Sequence, residues 1–219
     1  MASRFGLIVI LLTVASVLGA SVAARPSSGT AIYIVKVDPR LCPSPLCGGY
    51  WVALANAART RCADGTRNVR CYVARAVSKD RDPLEVSLAD SALVRAELKA
   101  SEFGDFGKLG ELVVTAVHAP AGSAAVTGGY YRITDIGIRC VRAPCFSYRS
   151  TQVNGRTRIP LSGVDLAAAQ ASQREVARAE GAIQTKNGLL ARGRFATSPD
   201  GGRVFRALRF YLRVPQPRA

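Results

Sequence analysis

The chain has 219 residues, 48% of them apolar, which is ample for a packed core and excludes both a disordered chain and a minimal disulfide knot. Thirty Lys+Arg against fifteen Asp+Glu leave a formal charge of +15, which bears on partners and solubility rather than on fold. With one histidine, His118, chemistry that needs paired histidines has no residues to use.

Residues 1–24 carry a single charge at Arg4, a 14-residue apolar run from Phe5 to Leu18, and small residues ending Ser21-Val22-Ala23-Ala24. That pattern predicts a cleaved signal peptide, because the run falls short of the roughly 20 residues that span a bilayer. An uncleaved anchor is the alternative. No cysteine follows the small residues, which disfavours a lipoprotein. The expected location is exported: periplasmic, cell-surface or extracellular.

Along the mature chain, Ile32–Val37, Tyr50–Ala55 and Cys71–Val77 read as strands from their β-branched and aromatic content. Asp82-Pro83-Leu84-Glu85 matches a helix start, with Asp82 as cap, proline at the first helical position and Glu85 three residues after the cap; the helix is expected to run to about Ser91. Leu93–Leu98 and Leu112–Val117 are strands. Ala119-Pro120-Ala121-Gly122-Ser123-Ala124-Ala125 reads as a linker. The order then repeats: strands over Tyr130–Ile136, Phe146–Val153 and Thr157–Leu161, an Ala-rich helix from about Leu166 to Glu180 introduced by Ser162–Asp165 and stopped by Gly181, and strands over Leu189–Phe195 and Val204–Val214.

A shift of 98 positions superposes Tyr33 on Tyr131, Cys42 on Cys140, Cys47 on Cys145, Tyr50 on Tyr148 and Asn56 on Asn154. This predicts two related domains, 25–125 and 126–219. The expected fold is β-rich, all-β to α+β: two small antiparallel barrels or sheets, each with a helix between strands three and four, an order compatible with the five-stranded oligonucleotide/oligosaccharide-binding barrel.

Export favours disulfides over thiolate metal sites. The second half has two cysteines, so Cys140 pairs most simply with Cys145, and Cys42 with Cys47 by the same logic. Cys62 and Cys71 then remain, flanking the turn at Ala63-Asp64-Gly65. A bridge between halves and a four-cysteine zinc site are the alternatives.

The run Leu41-Cys42-Pro43-Ser44-Pro45-Leu46-Cys47-Gly48-Gly49-Tyr50-Trp51-Val52, followed by Asn56, Cys62-Ala63-Asp64-Gly65 and Cys71-Tyr72-Val73-Ala74, resembles a bacterial secreted family of unknown function with a CPSPLCGGY-type signature. Ile138–Cys145, leading to Asn154-Gly155 and Val164-Asp165-Leu166, looks like a degenerate second copy without equivalents of Cys62 and Cys71. The resemblance implies export and a β-rich module, and it supplies no catalytic residues.

No GxSxG, HExxH, phosphate-loop, calcium-loop or dinucleotide motif occurs. His118 reads as a structural strand-end histidine, and Asp38, Asp64 and Asp135 as turn and cap residues rather than paired catalytic carboxylates. A non-enzymatic binding or structural envelope module without cofactor or metal is therefore expected, its cysteine loops holding Pro43, Pro45 and Pro144 beside the aromatics Tyr50, Trp51 and Tyr148. Ser44→Ala and Arg142→Ala test this presentation role; the competing reading is that these loops merely tie strands. A hydrolase inhibitor using a disulfide-closed loop is the alternative.

The charge is uneven: residues 25–125 hold 13 Lys+Arg and 10 Asp+Glu, net +3, and residues 126–219 hold 16 and 5, net +11. In the last strand, period two predicts Arg203, Phe205, Arg209, Tyr211 and Arg213 on one solvent-facing basic-aromatic ladder, with Val204, Leu208, Phe210, Leu212 and Val214 in the core. Such a face suits an anionic envelope polymer or extracellular polyanion. The competing reading is compositional, since arginines outnumber lysines 25 to 5.

Overall fold

The computed structural model describes residues 29–84 and 86–215. The expected signal peptide and Glu85, the expected partner of the first helix cap, lie outside the described residues.

The first half supplies strands β1 (Ala31–Val37), β2 (Tyr50–Leu54), β3 (Thr60–Arg61), β4 (Arg67–Asn68), β5 (Cys71–Val73), β6 (Arg75–Val77), β7 (Leu93–Glu102) and β8 (Lys108–Ala121). The second supplies β9 (Gly129–Asp135), β10 (Tyr148–Gln152), β11 (Arg158–Leu161), β12 (Gly163–Asp165), helix α1 (Gln173–Ile183), β13 (Leu189–Thr197) and β14 (Arg203–Arg213). Apart from the β3–β4 hairpin, one sheet joins them in the order β11-β10-β9-β13-β14-β8-β7-β1-β2-β5. Read outward from the centre, β8-β7-β1-β2-β5 matches β14-β13-β9-β10-β11. The short strands match too, since β6 lies parallel on β8 and β12 parallel on β14.

The halves meet where β8 and β14 run antiparallel, pairing Ala121 with Phe210, Pro120 with Tyr211, Ala119 with Leu212 and His118 with Arg213. The expected linker therefore begins later than the sequence suggested: Ala119–Ala121 extend β8, and Pro120 sits inside the central pairing.

Three core clusters explain why the sequence shows continuous apolar runs as well as alternation. One side of the first half packs Val35, Val52, Val73, Val94, Leu112 and Val114. The corresponding side of the second half packs Ile133, Leu161, Leu189, Phe205 and Phe210 under Ala179 and Ile183 of α1. On the opposite side, Ile32, Ala55 and Leu93 meet Tyr130, Val153, Leu190 and Tyr211 in a cluster shared by both halves. Neighbours such as Leu93 and Val94, or Leu189 and Leu190, are consequently both buried, because β7 and β13 are covered on both faces at these positions.

Two asparagines lock this seam. Asn56 and Asn154 follow β2 and β10 in left-handed conformations, φ 62° and 57°. Asn56 Nδ2 donates to the carbonyls of Tyr130 (2.7 Å) and Val153 (3.0 Å), while its Oδ1 accepts from the Tyr130 N–H (2.8 Å). Asn154 does the same in reverse, donating to the carbonyls of Ile32 (2.8 Å) and Ala55 (3.0 Å) and accepting from the Ile32 N–H (2.9 Å).

Several expectations need correction. The sheet is open, so neither half is a closed barrel. The first half forms no helix among the described residues of the segment joining β6 to β7. There Leu84 and Val86 are half-buried and Leu88 buried, with Ser87 and Ala89 exposed between them, so the apolar period is two rather than 3.6 and the segment lies extended over its core. In the second half, Gly163–Asp165 form β12 instead of a helix start. Helix α1 begins later, at a capping box between Ser172 and Glu175, and Gly181 lies within it.

Candidate anion-binding site

The three disulfides are Cys42–Cys47, Cys62–Cys71 and Cys140–Cys145, which leaves no free thiol among the described residues. In the first loop the aromatic residues are tied up internally. Asp38, 4% exposed, accepts hydrogen bonds from Arg40 (Nη2, 2.8 Å) and Trp51 (Nε1, 3.2 Å); the Arg40 guanidinium lies 5.1 Å from the Trp51 ring and 5.0 Å from Tyr72. The Tyr72 hydroxyl donates to Pro45 O at 2.7 Å. The Arg40 hydrogen bonds hold the Asp38 carboxyl down to about 2. In the second loop Arg139 clamps Asp135 at 2.8 Å and its hydrogen bonds likewise hold that carboxyl down to about 2. Asp64 caps its turn through the Thr66 N–H and hydroxyl. Ser44 and Arg142 are exposed, Tyr50 and Trp51 half-buried. Among the described residues no three His, Cys, Asp or Glu side chains converge as a metal site would require.

The last-strand ladder is split. A bulge opposite Arg192/Gly193 leaves Leu208 without a partner and switches the alternation. Phe205 and Ala207 before it, and Phe210 and Leu212 after it, all enter the second-half core. Phe205 is fully buried and Tyr211 is 2% exposed in the seam, so neither ring offers a face to a stacked ligand. Arg203 stands exposed at the hairpin end. Arg209 faces the seam, where Arg192 stacks 5.0 Å from the Tyr130 ring. Arg213, the remaining member, faces the seam at its other end.

There the pairing assembles a basic pocket that sequence order conceals. It is a cavity of about 620 Å³ lined by Arg95 of β7, Thr115 and His118 of β8, Arg132 of β9, Arg213 of β14 and Asn187 from the turn after α1, with no carboxylate from the described residues in its wall. Arg95, Arg132 and Arg213 make no ion pair among the described residues. Among the described residues, Arg132 Nε and His118 Nδ1 are buried without hydrogen-bond partners, a state that costs free energy unless something supplies an acceptor or donor. Burial, followed by the neighbouring Arg95, lowers the Arg132 pKa. Burial pushes His118 down to about 4; the Leu93 carbonyl opposes this, and Arg213, Arg95 and Arg132 add to it. His118 is thus a neutral ring at pH 7 within a cationic wall.

The register extends this wall along the sheet. Arg158, Thr151 and Arg132 lie in one cross-strand row of β11, β10 and β9, and Arg149 lies beside it opposite Thr134. All are on the face away from the α1 core, and Arg149 and Arg158 are exposed. A strip of guanidinium groups therefore leads from the seam pocket to the sheet edge. Of the residues singled out in the last strand, Arg213 alone belongs to it. The others escaped the sequence reading because they come from separate strands that only the long-range pairing aligns. The high charge of the second half was the available signal.

A family model described as a domain of unknown function (DUF6748) matches residues 31–217, across both halves. No curated protein and no solved structure matches the chain.

Proposed function

The chain belongs to the DUF6748 family, and from that starting point we propose that it is an exported, non-enzymatic module that binds an anionic envelope polymer along the β9–β11 face. The observation that carries this reading is the alignment of Arg132 and Arg158 in one cross-strand row with Arg149 beside it, none of them ion-paired among the described residues, continuous with the seam pocket. Arginine suits this role, because its planar fork pairs with phosphate, sulfate and carboxylate groups.

Export is supported by three disulfides, which persist in oxidising compartments, and by the leader-like first 24 residues. No helix among the described residues is long and apolar enough to cross a membrane. Descent of the two halves from one ancestral module is supported by the matched strand order, the reciprocal asparagines and the paired Cys-x4-Cys loops. In this reading the loops brace strand ends rather than present ligands, since Arg40, Trp51 and Tyr72 satisfy one another.

Retention of the purified chain on matrices of sulfated, phosphorylated and neutral polysaccharide tests the reading. The charged matrices should retain it and the neutral one should not, and Arg149→Gln/Arg158→Gln should elute earlier while Arg203→Gln elutes with the parent. Equal retention on neutral polymer would remove the proposal.

A further inference from the structure

The seam pocket has a composition that the open strip lacks. Three arginines from β7, β9 and β14 converge on one cavity, and among the described residues its wall holds no carboxylate and two of its buried nitrogens, Arg132 Nε and His118 Nδ1, lack partners. Like charges gathered in a partly buried site repel and are costly to desolvate. A single anionic group with several acceptor oxygens would relieve both costs, because each oxygen can take charge-assisted hydrogen bonds from a different guanidinium. We propose that this pocket is a specific site for one tetrahedral oxyanion, a phosphate or sulfate group, bound by Arg95, Arg132 and Arg213 against the His118 ring.

The cavity, about 620 Å³, exceeds what one such group fills, so the group enters as an ester with room for the sugar or alcohol that carries it. The proposal deepens the polymer-binding reading, on which it rests for the source of the ester. The geometry also allows a proton-linked response. The groups facing His118 are Arg213 on β14, Arg95 on β7, Arg132 on β9 and the Leu93 carbonyl. An oxyanion among them reverses the local field and favours the imidazolium.

The single histidine makes the test direct, because its ring resonances need no assignment. The isotopically labelled full chain is titrated at pH 7 and constant ionic strength with sodium phosphate and, separately, sodium sulfate, using chloride as the reference. At least one anion should give a saturable shift of the His118 ring signals and raise the apparent pKa of the ring from about 4. Arg132→Gln and Arg213→Gln should each weaken that anion by about tenfold or more, while Arg203→Gln leaves it unchanged. The same anion should raise the parent's Tm more than that of either variant, which a purely structural arginine would not produce. Saturation by phosphate alone assigns a phosphate ester, and saturation by sulfate alone a sulfate ester. A non-saturating response to both anions, or equal saturation in both pocket variants, would overturn the site. Polymer retention lost on Arg149→Gln/Arg158→Gln beside an unresponsive His118 would leave the broader reading standing; a saturable His118 shift in a chain that no charged matrix retains would do the opposite.

Discussion

At the scale of single residues, the most consequential side chains are the two that resemble ordinary turn asparagines. Asn154 makes three hydrogen bonds to the backbone of Ile32 and Ala55, both buried, and its left-handed φ is one that asparagine tolerates better than most residues. Asn154→Ala leaves those backbone groups without these partners and adds strain, so the expected cost is about 2–4 kcal/mol. Asn154→Gly removes the strain and keeps most of the loss. Denaturant unfolding of both variants, and of Asn56→Ala, checks this; a change under about 0.5 kcal/mol, within the range of ordinary surface substitutions, would contradict the locking role. The sequence displays these asparagines as matched positions 98 apart. It cannot display their partners, which lie 122 and 74 residues away for the principal bonds.

His118 carries a prediction of its own. Its folded pKa, about 4, lies below the ordinary 6.5, so between those values the unfolded chain takes up a proton that the native chain refuses. Stability therefore falls as pH drops from about 6.5 to about 4, by at most about 3 kcal/mol. Asp38 and Asp135, held down to about 2, act in a different window: their stabilisation is complete above the ordinary carboxylate range and is lost only as pH falls through it toward 2. Thermal unfolding of the parent and of His118→Gln between pH 7 and pH 4 separates the two effects. The parent should lose stability across that range and the variant should lose much less; parallel curves would show that His118 titrates normally. In the sequence this ring reads as structural, since it ends an apolar strand with no second histidine to share a metal and no neighbouring nucleophile. Its neighbours in space are arginines brought in by β7, β9 and β14.

Among the elements, strands were legible and the helices only partly so. Val, Ile, Tyr and Leu runs marked β1, β2, β7–β9, β13 and β14 because two-sided burial demands them. The first expected helix had an apparent cap at Asp82-Pro83, but local start signals lost to the side-chain period of Leu84, Val86 and Leu88, which suits an extended segment covering a sheet. The second helix starts at Gln173, about two turns after the expected Leu166, its true cap being Ser172 with Glu175, and it runs through the expected stop at Gly181 to Ile183. The basic-aromatic ladder failed for a different reason. A one-residue bulge, invisible to any period-two argument, transfers Phe210 and Leu212 to the same side as Phe205 and turns Tyr211 into the seam. Both long hairpins carry such an irregularity, between Arg95 and Ala96 and between Arg192 and Gly193, and each sits beside an arginine of the seam.

On the scale of the whole molecule, the halves share a sheet, a core cluster and two reciprocal hydrogen-bond sets, so their separation by charge is a property of surfaces rather than of independent bodies. The excess of arginine in residues 126–219 was visible from composition, but composition alone left the choice between genome bias and binding open. The binding proposal rests on the register, which aligns Arg158 and Arg132 in one row with Arg149 beside it and ends the strip at a pocket whose Arg132 Nε and His118 Nδ1 have no partner among the described residues. The most direct measurement is the salt dependence of affinity between the full chain and a soluble anionic polysaccharide, since each neutralised anion releases a counterion. Log K should fall steeply and linearly with log salt, with a slope smaller by about one for each arginine removed in Arg149→Gln/Arg158→Gln and unchanged in Arg203→Gln. A slope near zero, or one that all three proteins share, would contradict the binding proposal.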